Sequence, residues 1–220
     1  MSTAGAVDED AGRTAIWLIR HGATVQYASA SAVPLTDGRF DPPLSRIGNE
    51  QAKRLTARLQ GRRFDALFAS GLERTLQTLK PLVSNGSHGE VRIVPNLREV
   101  YLGDWEDGGF ARRLVEGHPL ALQAVAEQSW GVVPGAESGA EFAERVRKGM
   151  YHAVSQVPWG STIAVVAHAA VIGELCAQAT GSSPFAFIWN HNVGISRMGV
   201  DRDGTLHLES FNDTAHLDYS

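Results

Sequence analysis

The chain has 220 residues, with 24 Asp and Glu against 20 Lys and Arg and a formal net charge of −4. That length, with 43% hydrophobic residues, supports a single domain over 1–220 with a substantial core, while the mild acidity excludes a generally basic binder of nucleic acid or anionic membranes. Cys176 is the only cysteine, which excludes an internal disulfide and a cysteine-based zinc site, and no apolar run exceeds five residues where a membrane span needs about 20.

Residues 1–13 carry Asp8, Glu9 and Asp10 without a basic flank or apolar stretch, so they read as a mobile tail and not a signal peptide. A cytoplasmic protein is expected. Ala15–Ile19 is a compact apolar run, a buried strand. A long loop follows, marked by Pro34, Asp37-Gly38 and Pro42-Pro43. Ser45 caps a predicted helix with Ile47, Ala52, Leu55 and Leu59 inward and Gly61 at its end. Ala66–Ala69 is a second strand, and Leu72, Thr75, Leu76 and Leu79 mark a helix that Pro81 is expected to kink or end. Val91–Val94 is a third strand. Residues 104–139 are looser, broken by Gly-Gly, His-Pro and Pro-Gly steps, and read as a cap-like helical insertion. A helix near 141–156, a strand at 162–167, a helix at 170–180 closed by Gly181, and two strands near 195–200 and 206–211 about an Asp201–Gly204 turn complete the chain. The alternation predicts an α/β fold: a three-layer α/β/α sandwich with a mostly parallel central sheet.

The chemistry gathers at strand ends, where open α/β sheets form their ligand crevice. Arg20-His21-Gly22 follows the first strand, Arg74 opens a helix after the second, Glu99 follows the third, and His168 follows the strand at 162–167. Taken singly, Arg74 reads equally as a helix residue pairing with Glu73 or Glu99, and His168 as a core histidine. An arginine at a helix start opposes the helix dipole, which points to a use beyond local stability. The histidines lack close metal-ligand spacing.

Residues 14–217 resemble the histidine phosphatase superfamily, which includes the cofactor-dependent phosphoglycerate mutases. The resemblance rests on Leu18-Ile-Arg-His-Gly-Ala-Thr24, Pro43-Leu-Ser45 with Gly48 and Gln51-Ala52, Ser70–Thr78, Leu97-Arg-Glu99 with Gly103 and Trp105-Glu106, Pro134–Ser138, Val165–His168 and Asn212–His216. It implies that His21 takes the phosphoryl group covalently and that Arg20, Arg74 and His168 neutralise its oxygens without a metal or other cofactor. It further implies that Glu99 protonates the leaving alkoxide and then deprotonates water, which requires a raised carboxyl pKa. Thr24 and Ala169 fall at phosphate-binding positions. The family often has Gly where Ala169 stands and Asn where Tyr27 stands. Mutases carry Arg-His-Tyr-Gly after the glutamate and a lysine further on, whereas this chain has Val100-Tyr-Leu-Gly103 and Phe110. Arg112-Arg113 either compensates or is an exposed helical pair. Hydrolysis of a small-molecule phosphomonoester is favoured over mutase phosphotransfer and over a silent phosphate-binding module. The loop 27–41 and the insertion are expected to set specificity, with Tyr27, Phe40, Trp105, Phe110 and Trp130 toward substrate. Homodimerisation stays open.

Overall fold

The computed structural model describes residues 12–27, 34–84 and 89–217. The tail expectation therefore lies almost wholly outside the described residues, as does the middle of the 27–41 loop. Six strands form one sheet in the order β5-β4-β6-β1-β7-β8, comprising β1 (Thr14–Arg20), β4 (Ala66–Ala69), β5 (Val91–Ile93), β6 (Thr162–Ala167), β7 (Ile195–Val200) and β8 (Leu206–Asp213). The pairs among β5, β4, β6 and β1 are parallel, while β7 and β8 add an antiparallel edge. A separate two-residue hairpin joins β2 (Leu35–Thr36) to β3 (Arg39–Phe40).

Side chains alternate across a strand, so a strand buried on both faces feeds two cores. Ile16 and Leu18 of β1, with Phe68, Ile163 and Val165, pack against α5 (Gly139–Ser155) and α6 (Ala169–Thr180). Ile19, Leu67, Ala164 and Val166 pack on the other face, against Leu55 of α1 (Arg46–Arg58) and Leu79 and Leu82 of α2 (Glu73–Ser84). Three layers result. The insertion contributes α3 (Phe110–Val115) and α4 (Pro119–Glu127), with a small cluster of Trp105, Ala121 and Val133.

Local signals set the ends. Ser45 accepts from Gly48 N at 3.1 Å, and Ser138 forms a reciprocal capping box with Glu141, starting α5 two residues before the predicted point. Gly181, at φ 65°, closes α6 in the left-handed conformation. One expectation fails, and of the two offered for Pro81 the ending does not occur. Ile47 is 62% exposed, because Gly48 occupies the inward position against the loop after β1. Pro81 does not end α2: the helix continues to Ser84, held by Leu82 buried beyond the proline.

Candidate active site

The parallel register brings Arg20 beside Ala167 and Ala69 beside Val166, so the residues that follow each strand meet at one edge. The His21 and His168 rings lie 5.1 Å apart, centroid to centroid. His21 is almost fully buried, and its backbone is gripped from both sides: its N–H donates to Ala167 O at 3.0 Å, and its carbonyl accepts from Asn192 Nδ2 at 2.8 Å. Its Nδ1 lies 2.8 Å from Gly22 O, a partner that can only accept. Nδ1 therefore carries the proton, and Nε2 keeps the lone pair. The next residues are fixed by Gly22 N to Thr78 Oγ1 at 3.0 Å and Ala23 N to Gln51 Oε1 at 2.8 Å.

Arg20 donates through Nη1 to Asn190 O, and its buried Nε has no hydrogen-bond partner among the described residues. The loop that supplies Asn190 and Asn192 is under backbone strain, since Val193, a β-branched residue, sits at φ 51°. Two ladder-like bonds hold it there, Val193 N to Arg20 O at 3.0 Å and Arg20 N to Gly194 O at 3.3 Å. Arg74 is 4% exposed and donates through Nη1 to Phe40 O at 2.7 Å and through Nε to His168 Nδ1 at 3.2 Å. Asp41 Oδ1 stands 3.6 Å from Arg74 Nη1 and also accepts from Glu73 N at 2.8 Å.

Because His168 Nδ1 accepts from Arg74, its proton belongs on Nε2, which bonds Ser70 Oγ at 2.8 Å. Burial first, and then the charge of Arg74, hold both histidines well below the usual imidazole pKa. His168 is thus a neutral ring that orients Arg74, with both nitrogens engaged inside the protein.

Glu99 presents Oε1 to Val100 N at 3.1 Å and Oε2 to Ala170 N at 3.4 Å, in the first turn of α6. Its cap residue, His168, makes no side-chain capping bond, so the amide ends of α6 face this carboxylate and the neighbouring space. Burial raises the Glu99 pKa against the opposing pull of Arg74, the direction expected from the sequence. The Glu99 carbonyl accepts from Arg39 Nη1 at 2.6 Å and from Arg145 Nη2 at 3.3 Å. Arg145 in turn forks onto Glu137 at 3.0 and 2.7 Å.

These groups open into a cavity of 470 Å³ lined by Arg20, His21, Thr24, Arg74, Glu99 and Ala169, together with residues of the hairpin and insertion. Phe40, Trp105, Phe110 and Trp130 line it as expected; Tyr27 does not, while its neighbour Gln26 does. Arg112 reaches the lining, whereas Arg113 turns to a bidentate bond with Asp107, 2.8 Å at each nitrogen. Sequence reasoning missed Arg39, Ser70, Asn190 and Asn192. Of these, only Ser70 had a signal, its place directly after a strand.

The family model of the histidine phosphatase superfamily (branch 1) matches residues 16–214. The chain belongs to this superfamily. It is 31% identical over 186 residues to the adenosylcobalamin/alpha-ribazole phosphatase of Escherichia coli, covering 81% of this chain and 84% of that protein. It is 30% identical over 209 residues to a probable phosphoglycerate mutase of Yersinia enterocolitica, covering 92% and 94%. The crystal structure of a putative alpha-ribazole-5'-P phosphatase from Escherichia coli superposes with a TM-score of 0.70 at 27% identity, covering 91% of this chain and 96% of that one. As a histidine phosphatase the protein is an enzyme whose superfamily works through phosphohistidine. No helix among the described residues is long and apolar enough to cross a membrane.

Proposed function

We propose that the protein hydrolyses a small-molecule phosphomonoester through a phosphohistidine on His21, with no metal in the reaction. The observation that carries this reading is the tautomer of His21, whose Nδ1–H is committed to Gly22 O beside the buried Arg74 and the half-buried Arg20. In the first step the Nε2 lone pair attacks phosphorus. The P–O bond to the leaving group breaks, its electron pair stays on that oxygen, and Glu99 delivers the proton. In the second step water attacks, Glu99 takes its proton, and the P–N electron pair returns to Nε2. The raised pKa of Glu99 suits it to both halves. Arg20 and Arg74 match the charge that develops on the phosphoryl oxygens, Arg20 through its unpaired Nε and Arg74 held in place by His168 and Phe40. Thr24 and the α6 N-terminus at Ala169 complete the phosphate end.

Hydrolysis is favoured over phosphotransfer between sugar acids because Phe110 stands where a mutase lysine is expected and Arg113 is spent on Asp107. Residues 104–139 act as the cap of a single-domain enzyme, and the setting is cytoplasmic. The test is hydrolysis of p-nitrophenyl phosphate in EDTA, with protein quenched in alkaline detergent assayed for bound phosphate. Turnover with an acid-labile phosphoryl group on wild type, and neither in His21→Ala, is the expected result. Undiminished turnover in His21→Ala overturns the mechanism. Isomerisation of 3-phosphoglycerate faster than phosphate release, with 2,3-bisphosphoglycerate added, overturns the hydrolase reading.

A further inference from the structure

The 470 Å³ cavity holds far more than a phosphate, and the lining beyond the phosphate end is apolar to a degree the reaction does not require. Phe40, Leu102, Phe110, Ile188 and Trp189 supply it from three separate segments: the hairpin, residues 102–110 and the loop before β7. Of the polar side chains in the lining, Glu106, Arg39 and the Asn190 amide nitrogen are engaged, while Asn190 Oδ1 has no hydrogen-bond partner among the described residues and Arg112 has only a 3.6 Å contact to Asp107. Glu106 uses one carboxylate oxygen for Phe40 N and the other for Leu102 N. Arg39 is bonded to the Glu99 carbonyl and lies 5.3 Å over the Tyr101 ring. Asn190 Nδ2 donates to the carbonyls of Ala169 and Phe187, each at 3.0 Å. A leaving group rich in hydroxyls would give up its water here and find few partners in return.

The aromatic walls are also fixed in advance. The Phe40 ring lies directly on Gly108, where a Cβ would come within 2.4 Å of it. Phe110 meets Trp130 edge-on at 5.1 Å, and Trp130 packs on Phe185 at 4.4 Å. Trp189 is 57% exposed although both its neighbours, Ile188 and Asn190, are buried, and it faces the cavity. Preset rings lower the cost of ordering a bound ligand.

We propose that the leaving group of the substrate carries a flat apolar ring, so that the substrate class is phosphomonoesters of alcohols bearing an aromatic or heteroaromatic group. This rests on the hydrolase reading above. The test compares 2-phenylethyl phosphate with glycerol 3-phosphate and 3-phosphoglycerate. All three release unactivated alkoxides, so differences in rate report on how the rest of the molecule is held. The wild-type kcat/KM is expected to be roughly tenfold or more higher for 2-phenylethyl phosphate. Trp189→Ala is expected to lower the ratio of 2-phenylethyl to glycerol phosphate hydrolysis at least fivefold; being exposed, Trp189 can be removed without emptying the core. Equal rates on the three esters, a preference for the polyols, or an unchanged ratio in Trp189→Ala overturns the inference. The hydrolase reading fails separately, if p-nitrophenyl phosphate is not turned over by a His21-dependent route or if 3-phosphoglycerate is isomerised faster than it releases phosphate.

Discussion

Replacing Gly48 by alanine asks how tightly backbone contact alone holds His21. A Cβ at position 48 would stand 1.9 Å from Ala23 O and 2.9 Å from both Ala23 C and Ala23 N, where real contacts do not fall below 3.0 Å. The two segments must therefore part by about 1.1 Å. Neither gives way easily, because Ala23 O accepts from Ser45 N at 2.9 Å and Ser45 Oγ at 3.1 Å, and Ala23 N is tied to Gln51. Moving Ala23 moves Gly22, whose carbonyl fixes the His21 ring. A misplacement of about 1 Å costs on the order of 10²-fold in rate. The overpacking costs about 1–3 kcal/mol, of which the better helix propensity of alanine returns up to about 1. The expected result is a folded protein whose Tm falls by a few degrees and whose kcat on p-nitrophenyl phosphate falls about 100-fold. Gly139→Ala is the control, since a Cβ there meets nothing within 4 Å. Wild-type kcat in folded Gly48→Ala would refute the reasoning.

Two further outcomes follow from the electrostatics and from the hairpin. His21 and His168 stay neutral in the fold but titrate near 6.5 when unfolded, so below about pH 6.5 the unfolded chain takes up two protons that the folded chain refuses. Stability should fall on acidification by up to about 2.7 kcal/mol per pH unit until the depressed folded values are reached. Glu99 acts in the opposite sense, its contribution being lost as pH rises from the ordinary carboxyl range through its raised value. Urea melts at pH 7.5, 6.5 and 5.5 measure the net slope; His21→Ala should roughly halve the acid loss, and an unchanged slope would count against buried neutral histidines. Arg39→Ala removes the 2.6 Å bond to the Glu99 carbonyl while Arg145 retains its longer one. It should lower kcat/KM about tenfold for an alkyl phosphate but less than threefold for p-nitrophenyl phosphate, because kcat/KM reports the phosphorylation step, where nitrophenolate needs no proton from Glu99. Equal losses on both would make Arg39 a packing residue only.

The strands that carry the site were legible because burial on both faces writes itself as unbroken apolar runs, as in Ala66–Ala69 and Thr162–Ala167. The motif at each strand end then placed Arg20, His21, Arg74, Glu99 and His168 together. The misjudged positions depend on contacts that no local pattern encodes. Ile47 has helical spacing, yet a glycine beside it takes the inner position because a second backbone comes too close for any side chain. The bonds of His168 were equally illegible, since a neighbouring arginine and serine engage its two nitrogens. Asn190 and Asn192 grip Arg20 and His21 from 170 and 171 residues away in sequence, through a loop with no strand or helix signal of its own.

That distance bears on how the molecule comes into being. β1 lies between β6 and β7, so this strand, made earliest of the six in the sheet, has no partner on either edge until residues 162–167 and then 195–200 follow. For most of synthesis an apolar strand with open edges waits in solution, a state prone to association with other chains. His21, which follows this strand, acquires its last backbone bond only when Asn192 arrives. Long-range pairing of this kind slows folding, and it makes regained turnover a late reporter of the whole sheet, not of the N-terminal segment that carries His21.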